Sequence, residues 1–402
     1  MEKVTSKKLL PWTKNDYVLN IFVYALNIII FMLFYVATMS ITGREVSEVF
    51  SDAAQFINFV VLIVFIFAVM AVYFAFEDRN FLKSAANSEM IFLIMELSYI
   101  VCFSSGFYVN YYLRPLALVA LLTLFLTNTR TAVFVDVLFC MVLFLFDAFS
   151  GSKGMFENNI ISAAYFLVTG VTSSAVAIYF IKSVYSRIKL LALSFLISVP
   201  TVICVAIPTV SLGSNDWRAL LSAAASGPLS AAVCMTLLPV FESVFNKVTC
   251  FKYAELTDHK AKLIKRLIEQ APGTFNHSMV VSNIAEACAT AVGVDPLLAR
   301  TCAYYHDVGK LRRPEMFKEN QTDGVNPHND LTPELSANII RSHTQDGYAL
   351  VMKNRLPKAV ADVCLEHHGT MPILYFYDKA KKFTDGDVDI LQFCYQGPKP
   401  KT

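Results

Sequence analysis

The sequence predicts an all-α fold in two parts, a polytopic transmembrane helical bundle followed by a cytosolic all-helical domain. Three observations lead there. Up to about residue 246 the chain is a series of apolar runs, most of them of membrane-crossing length. After residue 251 it changes to the 3.6-residue periodicity of soluble amphipathic helices. All seven histidines lie at or after His259, so the apolar half carries no imidazole. With 55% hydrophobic residues, 13% aromatics and a mean hydropathy of +0.50, the 402-residue chain is too apolar for an ordinary soluble protein.

Charge excludes one class of function. The net charge is +2, and both halves are balanced, with 15 Lys+Arg against 14 acids up to residue 250 and 19 against 18 after it. A nucleic-acid polymer is therefore not an expected partner, because no basic face is present to neutralise phosphates. The nine cysteines are scattered without a CxxC pair and imply no disulfide framework.

Residues 1–16 carry Lys3, Lys7, Lys8 and Lys14 and are expected to be a cytosolic N-terminal segment. The run at 17–41 is longer than the ~7–15-residue apolar core of a cleavable signal, so it is expected to stay as a helix. Further runs lie at 56–76, 90–109, 115–127, 131–150, 160–181, 190–212 and 218–245, giving about eight spans over 17–246. The 115–127 run is short enough to be a re-entrant segment. An even count puts both termini on one side. With that side inside, Arg79, Lys83, Arg130, Lys182, Arg187, Lys189, Lys247 and Lys252 fall on inner connections against Arg44, Arg114, Lys153 and Arg218 on outer ones, the bias the positive-inside rule describes. Few charges interrupt the spans. Asp147 and Glu242 sit near span ends, where they can reach water, whereas Glu96 and Asp136 lie deeper. Pro200, Pro208, Pro228 and Pro239 predict kinks or helix ends in the last two spans.

A connecting helix is expected over 247–270, with Leu263, Ile264, Leu267 and Ile268 on one stripe, and a second domain over 271–402. Four histidines there continue apolar stripes at helical spacing. His277 aligns with Val280, Val281 and Ile284, His306 with Cys302 and Ala303, His343 with Ile339 and Ile340, and His367 with Val363 and Cys364. Any one alone reads as a hydrogen-bonded core histidine. Four of them from four helices point to metal, since a bundle brings inward positions to one axis and neutral imidazole suits transition metals.

Within HDVGK, His306 and Asp307 project about 100° apart, so one segment can offer an imidazole to one ion and a carboxylate bridging two. Lys310 then lies beside the ions, placed to meet a phosphate oxygen. His367, His368 and Gly369 repeat the pattern at another helix end. Two metals in such a site can activate water and clamp a phosphoryl group, which makes phosphoester hydrolysis the expected reaction class.

The stretches APGTFNHSMVVSNIAEACA, YYHDVGKLRRPEMFKENQ, NPHNDLTPELSANIIRSH and CLEHHGT resemble the membrane-bound seven-transmembrane HD-domain phosphohydrolases, whose characterised members are cyclic di-AMP phosphodiesterases. The similarity covers roughly 115–402 and is most specific over 271–370. The resemblance implies an HD domain over 271–402 and two divalent ions, iron or manganese. His277, His306 and Asp307 would hold one, and Asp307, His343, His367 and His368 the other. Asp307 and Lys310 would act in hydrolysis of cyclic di-AMP to linear pApA, with Arg312, Arg313 and His328 as weaker substrate contacts. Expected partners are the lipid bilayer and the cyclic dinucleotide, in a multi-pass cell-membrane protein with its HD domain in the cytosol, and a homodimer is allowed.

Three features depart from the family. The 42–55 connection is too short for the usual extracellular domain, and Asn276 stands where a histidine commonly precedes the ligand. The family's Gly-Pro-Lys segment leads into a helix that supplies a final aspartate to the first metal. Here the chain ends at GPKPKT, and Asp385, Asp387 and Asp389 come too early to match. The HD domain is therefore expected to be C-terminally truncated. A nucleotide-binding receptor without turnover and an HD nucleotidase acting on other phosphoesters stand as alternatives.

Overall fold

The computed structural model describes residues 14–43, 53–77, 81, 84–150, 159–182, 184–211, 216–321, 324–383 and 387–400. The chain divides into two compact helical units, Met1–Thr249 and Cys250–Thr402. An isolated bridge between Pro372 and Cys394 is the β contact among the described residues.

The first unit contains α1 (Lys14–Ile41), α2 (Ala53–Glu77), α3 (Ala85–Tyr108), α4 (Leu118–Leu126), α5 (Thr129–Ser150), α6 (Asn159–Ile181), α7 (Arg187–Ile197), α8 (Val199–Ser211) and α9 (Trp217–Phe245). Among the described residues, seven helical stretches are long and apolar enough to cross a membrane, with α7 and α8 counted as one. Of the eight expected spans, the 115–127 run is the one that no helix of span length covers among the described residues. The 115–127 run holds only α4, nine residues or about 14 Å of helix. Pro115 and the 3₁₀ turn Tyr111–Leu113 keep the preceding chain out of α conformation.

The core of this unit is aromatic. Phe31 meets Phe67 edge-on, Tyr35 stacks on Phe59 with centroids 4.1 Å apart, and Phe146 packs against Phe59 and Tyr99. Asp147 does not reach water as its position near a span end predicts. It is buried, 2.5 Å from the Arg114 guanidinium, and accepts a hydrogen bond from Tyr111 Oη at 3.1 Å. Glu242 accepts from the Thr249 hydroxyl. Glu96 and Asp136 are both buried, each with one carboxylate oxygen that has no hydrogen-bond partner among the described residues.

Pro228 and Pro239 lie inside α9 without ending it. Proline at 228 has no N–H for the carbonyl of Ala224, and Ser198 Oγ donates to that carbonyl at 2.7 Å. The same hydroxyl accepts from Gly227 N at 2.9 Å. Gly227 has to be small, because a Cβ there would lie 2.2 Å from the Ser194 carbonyl oxygen.

The second unit contains α10 (Cys250–Leu256), α11 (Lys262–Gln270), α12 (Pro272–Val292), α13 (Pro296–Tyr305), α14 (Pro333–Lys353), α15 (Lys358–Glu366) and α16 (Leu374–Phe383), with short 3₁₀ turns at Val308–Arg312, Pro314–Met316, Lys318–Asn320, Pro327–Asn329 and Ile390–Phe393. The segment expected as one connecting helix is two, α10 and α11. Both belong to this unit, where Leu256, Leu263, Ile264 and Leu267 join Tyr304, Tyr305 and Val308 in one core. Ile268, expected on the same stripe, is more exposed than its neighbours. Tyr305 Oη donates to the Leu256 carbonyl at 2.7 Å and so ties α13 to α10.

Candidate metal centre

Four helices deliver the histidines, and local sequence explains where each stops. α12 starts at Pro272, tolerated because a first-turn N–H needs no helical partner. Asp295 caps α13 by accepting from Leu297 N and Leu298 N, and His306 sits at that helix's C-terminal end. Thr332 caps α14, which carries His343 in mid-helix, and His367 ends α15. Gly309 of HDVGK does not end a helix but lies in the 3₁₀ turn Val308–Arg312 against α14. A Cβ on it would fall 1.9 Å from the His343 carbonyl oxygen and 2.5 Å from Gly347 N.

The expected inward stripe of α12 is overturned. Val280 and Ile284 are 54% and 59% exposed, while Thr274, Phe275, Ser278, Ser282 and Ala289 are buried. Small residues let α12 lie close to its neighbour, and Ser282 hides its polarity by donating to Met279 O at 2.7 Å. His277 stands at the margin of that face with its side chain half exposed.

Asp307, 3% exposed, is the point on which the imidazoles converge. Its Oδ2 lies 3.2 Å from His306 Nε2 and 4.0 Å from His277 Nε2, and its Oδ1 lies 3.3 Å from His343 Nε2 and 3.6 Å from His367 Nε2. His343 Nε2 and His367 Nε2 are 3.2 Å apart. Two trios, His277–His306–Asp307 and His343–His367–His368, each hold their ligand atoms within 4.8 Å of one another. Three rings are fixed from behind, with Nδ1 of His306, His343 and His367 facing the carbonyls of Ala303, Ile340 and Val363 at 2.7, 2.5 and 3.0 Å. A carbonyl can only accept, so Nδ1 carries the proton and each Nε2 turns its lone pair to the centre.

Lys310 Nζ lies 2.8 Å from Asp307 Oδ2 and 2.7 Å from Glu319 Oε1, over the Phe317 ring. Glu319 also accepts from Thr274 Oγ1 at 3.2 Å. Sequence reasoning missed Glu319, and no periodic signal could have found it in an irregular turn. Tyr395, stacked on His368, was missed for the same reason. The remaining candidates stand apart from the cluster. Arg312 pairs with Asp346 near the surface and Arg313 is exposed. His328 is buried, with Nε2 2.9 Å from the Met316 carbonyl and its ring against Phe376.

Electrostatics follow from this packing. Burial alone would raise the Asp307 carboxyl, but the surrounding imidazoles of His306, His343 and His367 outweigh it and hold it well below the usual range. Burial lowers His306, yet the Asp307 contact prevails and its net shift is upward. His277 is lowered by desolvation, and burial with the neighbouring His367 and His343 pushes His368 down to about 3. Burial also opposes the charge on Lys310, and Asp307 and Glu319 more than restore it.

This donor set fits two transition-metal ions. Asp307 Oδ1 is buried without a hydrogen-bond partner among the described residues, which is costly for a carboxylate oxygen unless a cation meets it. Imidazole with carboxylate is the ligand chemistry of manganese, iron and zinc.

Both units match known families. The HD domain matches residues 274–391, and the family described as a 7TM receptor with intracellular HD hydrolase matches residues 18–249. A cyclic-di-AMP phosphodiesterase, PgpH, of Listeria monocytogenes serotype 1/2a (strain 10403S) is 32% identical over 356 residues, 84% of this chain and 48% of that protein. Its namesake in Bacillus subtilis (strain 168) is 32% identical over 351 residues, 86% of this chain and 48% of that protein. The chain spans about half the length of these curated relatives. A crystal structure of the L. monocytogenes PgpH HD domain in complex with cyclic-di-AMP shares 47% identity, over 36% of this chain and 67% of that chain, with a TM-score of 0.35. Since the match over 18–249 takes in more than half of the sequence, the protein belongs to the family of 7TM receptors with an intracellular HD hydrolase.

Proposed function

We propose that the protein is a membrane-bound, metal-dependent phosphodiesterase that hydrolyses a cyclic dinucleotide, cyclic di-AMP, to linear pApA. The observation that carries this reading is the convergence of imidazoles from α12, α13, α14 and α15 on one buried carboxylate, with Lys310 beside it. The relatives that bear the name cyclic-di-AMP phosphodiesterase support the choice of substrate.

His277, His306 and Asp307 would hold one ion, and Asp307, His343, His367 and His368 the other. Two such ions, manganese or iron, supply an activated water and neutralise charge that develops on the phosphoryl group. The protein's own groups do the rest. Asp307 stays ionised and able to bridge, the backbone carbonyls hold three imidazoles in the ligating tautomer, and Lys310 offers N–H to a phosphate oxygen. Glu319 keeps that ammonium charged and aimed along the site. We place this site in the cytosol, on the side where the positively charged connections lie.

Purified full-length protein supplied with manganese should convert cyclic di-AMP to pApA, followed by chromatography. His306→Ala should lower turnover by at least ~100-fold, the scale on which removing a metal ligand acts. Unchanged turnover in this variant would remove the site. Tight cyclic di-AMP binding without product at saturating manganese would make the chain a receptor, and faster release from mononucleotides would make it a nucleotidase.

A further inference from the structure

Three of the clustered imidazoles are locked by a backbone carbonyl behind Nδ1, but His368 has no such anchor among the described residues. It is held in another way. The Tyr395 ring lies face to face with it, centroids 4.2 Å apart and planes 17° from parallel, and also reaches within 6.1 Å of the His343 ring. Tyr395 itself is buried, and its strand-like segment is fastened at several points. Tyr395 N donates to Met371 O at 3.0 Å, Ile373 N donates to Phe393 O at 2.9 Å, and Arg341 Nη1 donates to the carbonyls of Gln392 and Cys394 at 3.3 and 3.2 Å. Gly397 then passes so close to α15 that a Cβ would lie 1.9 Å from the Leu365 carbonyl oxygen.

We infer that Tyr395 is a positioning residue for the second metal, its ring acting as the backstop that sets the direction of the His368 lone pair. The physical reason is orientational. An imidazole free to rotate about its side-chain bonds spends only part of its time aimed at an ion, and a flat ring against one face removes most of those rotations. Stacking needs the aromatic face and not the hydroxyl, so phenylalanine can replace tyrosine and leucine cannot. The segment carrying Tyr395 thereby becomes part of the metal centre although it offers no ligand atom. This rests on the two-metal reading above.

Manganese titration of the full-length protein, followed by electron paramagnetic resonance and calorimetry, tests the inference. The wild type should take up two ions with the spectrum of a coupled pair. Tyr395→Leu should weaken the second ion by about tenfold and shift the spectrum toward a single uncoupled ion, with the first ion unaffected. Tyr395→Phe should keep both ions. His368→Ala should weaken the second ion at least as much as Tyr395→Leu does, and adding Tyr395→Leu to it should weaken binding no further. Loss of the second ion in the phenylalanine variant, additive losses in the double variant, or equal weakening of both ions would overturn the positioning role. A wild type that binds no coupled pair would overturn the two-metal reading itself, a different result from any of these.

Discussion

At the scale of single residues, Lys310 shows how position and charge are set together. Its ammonium touches two carboxylates, Asp307 at 2.8 Å and Glu319 at 2.7 Å, so only one of its donors has to be turned toward a substrate. Glu319→Gln removes one of those charges and leaves a similar shape. It is expected to raise KM for cyclic di-AMP several-fold with a smaller change in kcat, because a looser lysine loses contact to substrate and transition state alike. A change confined to kcat would argue instead for a direct part in the chemistry. The imidazoles make a second expectation, for pH. His306 is shifted upward by Asp307, so on the acidic side of that raised value it holds a proton that an incoming ion must displace. Manganese affinity should therefore climb as pH rises through the near-neutral range and level off above it, with proton release visible by calorimetry in buffers of different ionisation enthalpy. His368, pushed down to about 3 by burial, should contribute none of that release.

At the scale of elements, the HDVGK turn is pressed into α14. Gly309→Ala would set a methyl 1.9 Å from a backbone oxygen of the helix that carries His343, and a backbone cannot swing aside as a side chain can. The expected cost is roughly 1–3 kcal/mol, the range for overpacking a core, with weaker manganese binding because His306 and His343 are moved apart. Denaturant unfolding of the full-length variant, read with metal content, measures both. Sequence spacing could locate these elements because a histidine at a helix end announces itself through the glycine or the charged pair beside it, as at His306-Asp307 and His367-His368-Gly369. It misjudged α12, where Ser278 and Ser282 were passed over in favour of Val280 and Ile284. Hydrophobicity alone cannot recognise a face chosen for close approach, since small polar side chains that bond their own helix pack as apolar ones do. Glu319 and Tyr395 lay beyond reach because irregular turns carry no period, and their roles arise only when distant segments meet.

At the scale of the whole molecule, the sidedness of the membrane unit turns on what the 111–128 segment does. Arg114 at its start pairs with Asp147 at the far end of α5, while its end runs straight into Thr129 at the near end of α5. The segment therefore travels the length of α5 although only nine of its residues are α-helical, beside the 3₁₀ turn Tyr111–Leu113. The other pairings agree. Asn20 meets Ser88 and Thr38 meets Tyr99, so α1 and α3 run in the same sense; Gln55 meets the Phe149 carbonyl and Glu77 meets Arg130, so α2 and α5 are opposed. Val205 packs with Ala219 and Ala223, opposing α8 to α9. Traced through, the start of α1 and the end of α9 come to one end of the bundle, the end that bears Arg130, Lys182, Arg187 and Lys189. The positive-inside rule predicts that this end faces the cytosol, and with it the proposed site. Cys288 is exposed on that unit and supplies a native reporter. A membrane-impermeant maleimide applied to intact cells should leave Cys288 unmodified and should label it once the membrane is permeabilised, whereas Gly43→Cys, at the opposite end of α1, should react in intact cells. Labelling of Cys288 without permeabilisation would invert the topology and move the metal centre away from any cytosolic nucleotide.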